Sequence, residues 1–143
     1  MAEGITRFLF KDLPSLTTKS AGLYAVRGAS PSKNAVIVCE RHGIDIRNHR
    51  AQPLTHQLLV WADLVFCMEH SQKYEIMTMG DTATQLRLMG EGVPDIPDEI
   101  PDPYGGDLHV YEEIFYFLTQ AIEFHLGRFR ERRRYDRKTE AFG

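Results

Sequence analysis

The chain has 143 residues, of which 43% are hydrophobic and 26% are charged. This length and balance indicate one soluble globular domain with a single sizeable core. No apolar run approaches the roughly eighteen residues needed to span a bilayer, and the first residues lack the basic-then-apolar order of a secretory signal. We therefore expect a cytoplasmic protein that has no membrane partner.

The formal net charge of −3 is unevenly distributed. Residues 128–143 hold seven basic and three acidic side chains, a surplus of +4, which leaves residues 1–127 at −7. Such a basic tail either contacts an anion or nucleic acid, or is a solvated helix end whose cations lie at the negative pole of the helix dipole. We favour the second interpretation and predict no nucleic-acid partner.

The two cysteines, Cys39 and Cys67, each lie inside an apolar stretch. This placement is typical of small buried hydrophobic side chains rather than of a disulfide framework. We expect both thiols to be inert.

The first third of the chain predicts two helices separated by an extended piece. Residues 1–12 place three apolar side chains on one helical face, but no capping residue and no strand precede them. Residues 17–25 are predicted to be extended. Ser32 is expected to cap the second helix, which Gly43 ends. The apolar side chains of the first helix are Ile5, Phe8 and Leu9.

The rest of the chain alternates predicted helices and strands. Thr55 can cap a helix, residues 62–68 form the apolar run of a strand buried on both faces, and residues 72–79 and 84–89 suit a helix and a strand. A long helix over residues 108–130 carries one apolar stripe. The alternation predicts an α/β domain with a parallel sheet. The stripe consists of Val110, Ile114, Phe117, Leu118, Ala121, Ile122 and Phe129.

A loop rich in proline and acidic residues precedes that long helix. Prolines restrict the backbone, so carboxylates between them are held in place. The loop is either a solvated acidic segment or one that positions Asp102 as a general acid, with Tyr104 as an aromatic wall for a substrate. Composition alone favours the solvated segment.

Three histidines recur every seven residues, at His42, His49 and His56. On one continuous helix they would align as metal ligands, but Gly43 and Pro53 interrupt the stretch. Neither common type of glycine-rich nucleotide loop is present. We therefore predict no metal and no cofactor.

Several segments, taken in order, resemble the low-molecular-weight protein-tyrosine-phosphatase family over residues 1–127. The combination is specific, although each segment alone is weak. The segments are Met1-Ala-Glu-Gly, Ser20-Ala-Gly, Gly43-Ile-Asp through His49-Arg-Ala to Leu54-Thr, Ala62-Asp-Leu, Met68-Glu and Asp102-Pro-Tyr-Gly-Gly.

The resemblance implies a phosphatase that works through a phosphocysteine intermediate. In that family a strand leads into a Cys-x5-Arg-Ser-Pro loop, which directly precedes Met-Ala-Glu. Backbone N–H groups and the arginine of that loop hold the phosphoryl oxygens, and its thiolate attacks phosphorus. The residues six positions after Cys39 and Cys67 are Asp45 and Lys73, so the nucleophile loop is absent from residues 1–143.

The resemblance also assigns roles to six residues of this sequence. Asp102 matches the general acid, and Tyr104 matches part of the cleft wall. Leu23 and Tyr24 match positions near the cleft mouth that contact substrate. Ser20 and His49 match side chains that support the phosphate loop through hydrogen bonds.

The fold that the resemblance implies is a three-layer α/β domain with a parallel sheet in the order 2-1-3-4. Its first, central strand would precede Met1, so residues 1–127 are expected to be an N-terminally truncated domain followed by a basic tail at 128–143. Without that strand the edges of two neighbouring strands lack partners, and we expect low stability in isolation. We expect that the strand is missing because an internal methionine was taken as the start of the chain.

The expected partner is a phosphorylated protein. Asp102-Pro-Tyr-Gly-Gly followed by Asp107-Leu108 is similar to the bacterial branch that includes protein-arginine phosphatases. Phosphotyrosine and phosphoarginine therefore both remain candidate substrates. A third possibility is a non-catalytic pseudo-phosphatase that serves as a binding module.

Overall fold

The computed structural model describes residues 1–80 and 85–142, with side chains as far as Arg133. Five helices and two strands follow one another in these ranges. Their bounds are α1 Ala2–Leu9, α2 Lys33–Arg41, α3 His56–Trp61, β1 Leu64–Cys67, α4 His70–Met77, β2 Gln85–Leu88 and α5 Leu108–Phe142.

The two strands form a parallel sheet joined by α4. Leu64 lies opposite Gln85 and Cys67 lies opposite Leu88. A strand, a crossover helix and a second parallel strand make the unit on which α/β folds are built. The α/β class with a parallel sheet is therefore confirmed, and within residues 1–80 and 85–142 the sheet has two of the four strands expected from the order 2-1-3-4.

Two apolar clusters cover the two faces of the sheet. Leu64 and Phe66 of β1 pack against the larger cluster, which α1, α2 and α5 build, whereas Val65 and Cys67 belong to the smaller cluster beside α3 and α4. Alternate strand residues point to opposite faces, so both faces of β1 are packed, as the apolar run predicted.

Three helix boundaries predicted from local sequence are confirmed. The Ser32 hydroxyl accepts a hydrogen bond from Ala35 N at 3.3 Å at the start of α2, and Thr55 caps α3 by accepting from Leu58 N at 3.2 Å. Gly43 follows α2 with a φ of +77°, a left-handed conformation that glycine adopts without a steric penalty.

The buried face of α1 differs from the prediction. Ile5 is almost fully buried and Leu9 packs beside it, but Phe8 is 40% exposed and lies under the Lys11 ammonium group. The buried stripe of α1 runs through Ala2, Ile5 and Leu9, and Phe8 lies on its outer edge because each residue advances the helix by about 100°.

The long helix α5 also differs in detail. It continues to Phe142, past the predicted end at residue 130 and across the expected boundary between residues 127 and 128. Val110 is 37% exposed, whereas Tyr111 takes the buried position and its hydroxyl accepts a hydrogen bond from Ser32 Oγ at 3.0 Å. That contact satisfies the polar end of a buried ring.

The predicted extended piece at 17–25 is shorter than expected. It turns at Leu23 and Tyr24, and among the described residues its β-pairing is limited to one parallel bridge between Gly22 and Pro53. Gly22 N donates to Gln52 O, and Gly22 O accepts from Leu54 N. A strand requires a ladder of such bonds, and one residue supplies only one rung.

In the part of the chain that the structure describes, no helix is both long and apolar enough to cross a membrane. The longest helix, α5, is amphipathic.

Candidate active site

A cleft of about 1130 Å³ opens beyond the carboxyl end of β1. Its walls come from the first turns of α1 and α2 and from the segments 43–51 and 100–104, and α5 contributes Ile114 and Leu118. Ligands of α/β proteins bind beyond the carboxyl ends of the strands. This cleft is therefore the candidate active site.

The loop that carries Asp102 is attached to the end of β1. Ile100 is 1% exposed, and its N–H donates to Met68 O at 2.9 Å, one residue beyond the strand. The Glu99 carboxylate accepts from His70 N at 2.7 Å at the start of α4. These two contacts hold the backbone on which Asp102 stands, so its carboxyl group has a defined place at the cleft wall.

Asp102 is exposed and lines the cleft. Its Oδ1 accepts a hydrogen bond from Tyr104 N at 3.0 Å, which closes a local turn of the kind that aspartate forms with the backbone two residues on. Among the described residues, Oδ2 has no hydrogen-bond partner. One oxygen therefore orients the group while the other is available to carry a proton.

The glycine pair after Tyr104 explains how the loop reaches α5. Gly105 has a φ of +82°, which favours glycine. A Cβ on Gly106 would lie 2.9 Å from Pro103 O, too close for an ordinary contact. Gly106 O accepts from Asn34 Nδ2 at 3.0 Å, so the turn is also tied to α2.

Ser20 and His49 both line the cleft, and they meet at Glu3; their support of a phosphate loop stays a prediction. The Ser20 hydroxyl donates to Glu3 Oε2, and His49 Nδ1 lies 3.6 Å from the same oxygen. Arg7 binds the other carboxylate oxygen at 2.6 Å. The Glu3 side chain is only 10% exposed, and its carboxylate is the shared partner of Ser20, His49 and Arg7.

Glu3 was not among the site residues predicted from the sequence. The available signal was an acidic side chain in the first turn of α1, within the Met-Ala-Glu segment. That signal has an ordinary explanation, because a carboxylate is favourable at the positive pole of any helix. Only the contacts with Ser20 and His49 distinguish it.

The structure places the three predicted substrate contacts in two different environments. Tyr104 lines the cleft and is 82% exposed, beside Asp102. Leu23 packs on the smaller apolar cluster, and the Tyr24 hydroxyl donates to Glu75 of α4. Neither residue lines the cleft, and their contact with substrate stays a prediction.

Both cysteines are buried free thiols outside the lining of the cleft. Burial raises the pKa of the Cys39 thiol, and it raises that of Cys67 as well. A raised pKa disfavours the thiolate, the reactive form. The prediction of inert thiols agrees with this environment.

The three regularly spaced histidines lie in separate places. His42 caps the end of α2 and stacks on Phe115 with ring centroids 4.1 Å apart, His49 lies near Glu3, and His56 begins α3. Within the described residues, no three side chains of the metal-ligating types converge.

A known protein family matches most of this chain. The model of the low molecular weight phosphotyrosine protein phosphatase family matches residues 1–135.

This chain belongs to that family.

Two bacterial members of the phosphatase family are similar to this chain over most of its length. The probable low molecular weight protein-tyrosine-phosphatase EpsP of Ralstonia nicotianae is 36% identical over 132 residues, which cover 91% of this chain and 86% of that protein. Wzb of Salmonella typhi, a low molecular weight protein-tyrosine-phosphatase, is 33% identical over 117 residues, covering 80% and 76%.

Solved structures of the phosphatase family share the fold. The low molecular weight protein tyrosine phosphatase of T. tengcongensis has a TM-score of 0.78 and 35% identity, covering 85% of this chain and 84% of the other. The YwlE arginine phosphatase of Geobacillus stearothermophilus has a TM-score of 0.81 and 26% identity, covering 92% and 84%.

Proposed function

We propose that this chain provides the general acid and the substrate cleft of a phosphoprotein phosphatase that hydrolyses phosphotyrosine. The observation that carries the proposal is the position of Asp102, which lines the cleft on a loop anchored to the end of β1, with one carboxylate oxygen free among the described residues. The nucleophile in this proposal comes from a Cys-x5-Arg loop, which residues 1–143 do not contain.

The proposed reaction has two steps. A cysteine thiolate attacks phosphorus, so a P–S bond forms while the P–O bond to the tyrosine breaks, and Asp102 gives its proton to the departing phenolate oxygen. Water then attacks phosphorus and breaks the P–S bond, and the Asp102 carboxylate takes a proton from that water. Inorganic phosphate leaves, and the thiolate and the protonated acid are restored.

Neither cysteine of the chain fits the role of nucleophile. Cys39 and Cys67 are buried, lie outside the cleft lining and have raised pKa values, all of which oppose a reactive thiolate. Asp45 and Lys73 stand where a Cys-x5-Arg arginine would. We therefore expect residues 1–143 alone to leave p-nitrophenyl phosphate unhydrolysed.

We favour phosphotyrosine as the substrate because the more similar relatives carry protein-tyrosine-phosphatase names. The exposed ring of Tyr104 beside Asp102 offers an aromatic wall for a phenyl group. The likeness to an arginine phosphatase supports phosphoarginine as the second candidate. A pseudo-phosphatase that binds phosphoprotein without hydrolysis is the remaining alternative.

The test joins a strand and a Cys-x5-Arg-Ser-Pro segment to the amino terminus of residues 1–143. We expect the extended protein to hydrolyse p-nitrophenyl phosphate and Asp102→Ala to lower kcat about a hundredfold or more. The loss should be larger with phenyl phosphate, whose poorer leaving group depends more on the proton. Asp98→Ala, an exposed carboxylate on the same loop, is the matched control and should leave kcat unchanged.

Equal rates for Asp102→Ala and the parent protein with both substrates would remove Asp102 from the acid role. Turnover of a phosphoarginine peptide in preference to a phosphotyrosine peptide by the same extended protein would favour the second candidate. Folded extended protein that binds phosphotyrosine peptide without turnover would favour the binding module.

A further inference from the structure

We propose that the outward face of α5 is a docking site for a second copy of this chain, with the two helices antiparallel and a twofold axis at Gln120. The inference goes beyond the proposed function and does not rest on it. The spacing of exposed aromatic side chains, the charges on either side of them and an acidic hollow beside the helix point to this occupant.

Two large aromatic side chains lie on the face of α5 that points away from the core. Tyr116 is 52% exposed and Phe124 is 53% exposed, whereas the opposite face of the helix, which carries Leu118, is buried in the larger cluster. Residues four apart lie above one another on a helix, so Tyr116, Gln120 and Phe124 form one ridge. Exposed aromatic rings of this kind are enriched at protein–protein interfaces.

The ridge is symmetric about Gln120. Tyr116 precedes Gln120 by four residues, and Phe124 follows it by four. In an antiparallel pair centred at Gln120, each Tyr116 therefore lies opposite the Phe124 of the other copy. A twofold axis repeats every contact, so the interface contains this aromatic pair twice and removes four rings from water.

The charges beyond the aromatic pair favour the antiparallel direction. Glu113 and Arg128 are exposed on either side of it, and the pairing brings each Glu113 next to the Arg128 of the other copy. Arg128 lies 5.0 Å from the Phe129 ring centroid, and neither charge is in an ion pair with any side chain that the structure describes. A parallel pair would place each charge beside its own counterpart, and that contact is repulsive.

An acidic hollow beside α5 provides a place for that arginine. It has a volume of about 670 Å³, and Glu113 and Phe117 of α5 line it. Arg128 follows Phe117 by eleven residues, about three helical turns, so the pairing keeps both on the same flank of the ridge.

The lining of the hollow suits a guanidinium group. Four carboxylates line it beside one histidine, and none of the four is in an ion pair within the described part of the chain. A guanidinium group in the hollow would bind carboxylate oxygens and lie near the aromatic ring of Phe117. The carboxylates belong to Glu69, Asp98, Glu99 and Glu113.

The length of the ridge sets the size of the contact. His109 and Glu131 are exposed and lie opposite one another in the proposed pair, and the helix between them is about 33 Å long. A strip of that length and one helix wide is at the low end of specific interfaces. We therefore expect a reversible dimer that dissociates at micromolar concentrations.

Sedimentation velocity of residues 1–143 between about 5 and 500 µM tests the pairing, since this range spans the Kd of a small interface. We expect monomer at the lowest concentration and mostly dimer at the highest. Tyr116→Ser and Phe124→Ser should each weaken dimerisation about tenfold or more. Tyr74→Ser, an exposed tyrosine on α4, is the matched control and should dimerise as the parent chain does. Circular dichroism verifies that each variant is folded.

Charge reversal identifies the ion pair. Glu113→Arg alone and Arg128→Glu alone should each stay monomeric, because like charges then meet twice across the twofold axis. An equimolar mixture of these two variants should form a heterodimer about as strong as the parent dimer, since both contacts then join opposite charges. Arg27→Glu, an exposed arginine before α2, is the matched control and should leave dimerisation unchanged.

A disulfide at the twofold axis tests the register. Gln120→Cys should cross-link two copies under mild oxidation, because the two residues face each other across the axis. Glu131→Cys is the matched control and should not cross-link, because the two copies of that residue are about 33 Å apart along the paired helices. Cys39 and Cys67 are buried and should not react in either variant.

Three results would overturn the inference, and none of them involves phosphate-ester turnover, so its failure is distinct from failure of the proposed function. The first is a parent chain that stays monomeric at the highest concentration. The second is a mixture of the two charge-reversed variants that dimerises no better than either variant alone. The third is a dimer that Tyr74→Ser weakens as much as Tyr116→Ser does, which would place the contact on another face.

Discussion

The Ser20 hydroxyl donates a hydrogen bond to the Glu3 carboxylate and so joins the segment before α2 to the first turn of α1, seventeen positions away in the chain. The same carboxylate contacts His49, from the loop after α2, and Arg7, one turn further along α1. One buried acidic side chain therefore connects three segments that line the cleft.

Replacing Glu3 should destabilise the protein measurably. Glu3→Ala leaves the Ser20 hydroxyl and the Arg7 guanidinium without their shared partner, and we expect the free energy of unfolding in urea to fall by about 1–3 kcal/mol. Ser20→Ala should cost less, and the double variant should cost less than the sum of the two single variants. Additive losses would show that the two side chains do not interact.

Two glycines should respond to alanine with opposite signs. Gly105→Ala should lower stability by about 1 kcal/mol because its φ of +82° is unfavourable for a residue with a Cβ. Gly127→Ala should raise stability by about 0.5–1 kcal/mol, because Gly127 lies inside α5 and, among the described residues, its Cβ would meet Glu123 Oε2 at 3.8 Å, an ordinary contact.

Thermal unfolding should show a lower melting temperature for Gly105→Ala and a higher one for Gly127→Ala. The helical variant also serves as a control for the general effect of adding a methyl group. A stabilised Gly105→Ala variant would show that the turn does not need its left-handed conformation.

Arg130 should contribute to stability out of proportion to its neighbours in the basic tail. Its guanidinium donates to Leu9 O at 2.5 Å at the end of α1, lies 4.6 Å from the Phe10 ring centroid and lies 3.7 Å from Glu123. We expect Arg130→Ala to lower the free energy of unfolding by about 1–2 kcal/mol.

Arg132 supplies the matched control for this experiment. It is exposed on the same helix, and Arg132→Ala should change stability by less than about 0.5 kcal/mol. Equal losses in the two variants would mean that Arg130 acts through the charge of the tail and not through its contacts with α1.

His125 should make stability depend on pH below neutrality. Burial lowers the pKa of His125 from 6.5. Its Nε2–H donates a hydrogen bond to Met89 O at 2.9 Å, and that bond acts in the opposite direction. Arg87 and Arg128 act in the same direction as burial, and Glu91 opposes them.

The sign follows from proton linkage. Below pH 6.5 the unfolded chain binds a proton at His125 more readily than the folded chain, so stability falls as the pH is lowered from 6.5 through the folded pKa. Urea midpoints between pH 7.5 and 5.5 should fall less steeply for His125→Asn than for the parent. A folded-state NMR titration of His125 at or above 6.5 would contradict the prediction.

Local signals predicted the start of α2 and α3 and the end of α2, although the end of α5 was predicted too early. Ser32, Thr55 and Gly43 act within three or four residues of themselves, so their effects can be read from adjacent sequence. The faces of helices were predicted less well. Phe8 and Val110 are apolar and in phase with a stripe, but which edge of a stripe is covered depends on the element packed against it.

The candidate site shows the same division. Asp102 and Tyr104 lie close together in the sequence within a distinctive motif, and they line the cleft together. Ser20 and His49 were predicted through family resemblance to support a phosphate loop, and the structure shows both of them at Glu3. That convergence could not be derived from spacing, since no local rule relates residues this far apart.

The sequence by itself determined the family, the α/β class, the helix caps and the acidic residue of the Asp-Pro-Tyr-Gly-Gly segment, because each of these is encoded in short patterns. Tertiary structure alone decided that Glu3 links Ser20 to His49, that Arg130 binds the end of α1, and that Asp102 lines the same cleft as Ser20 and His49. The physical reason is that burial and charge compensation arise from neighbours brought together by folding, and those neighbours are distant along the chain.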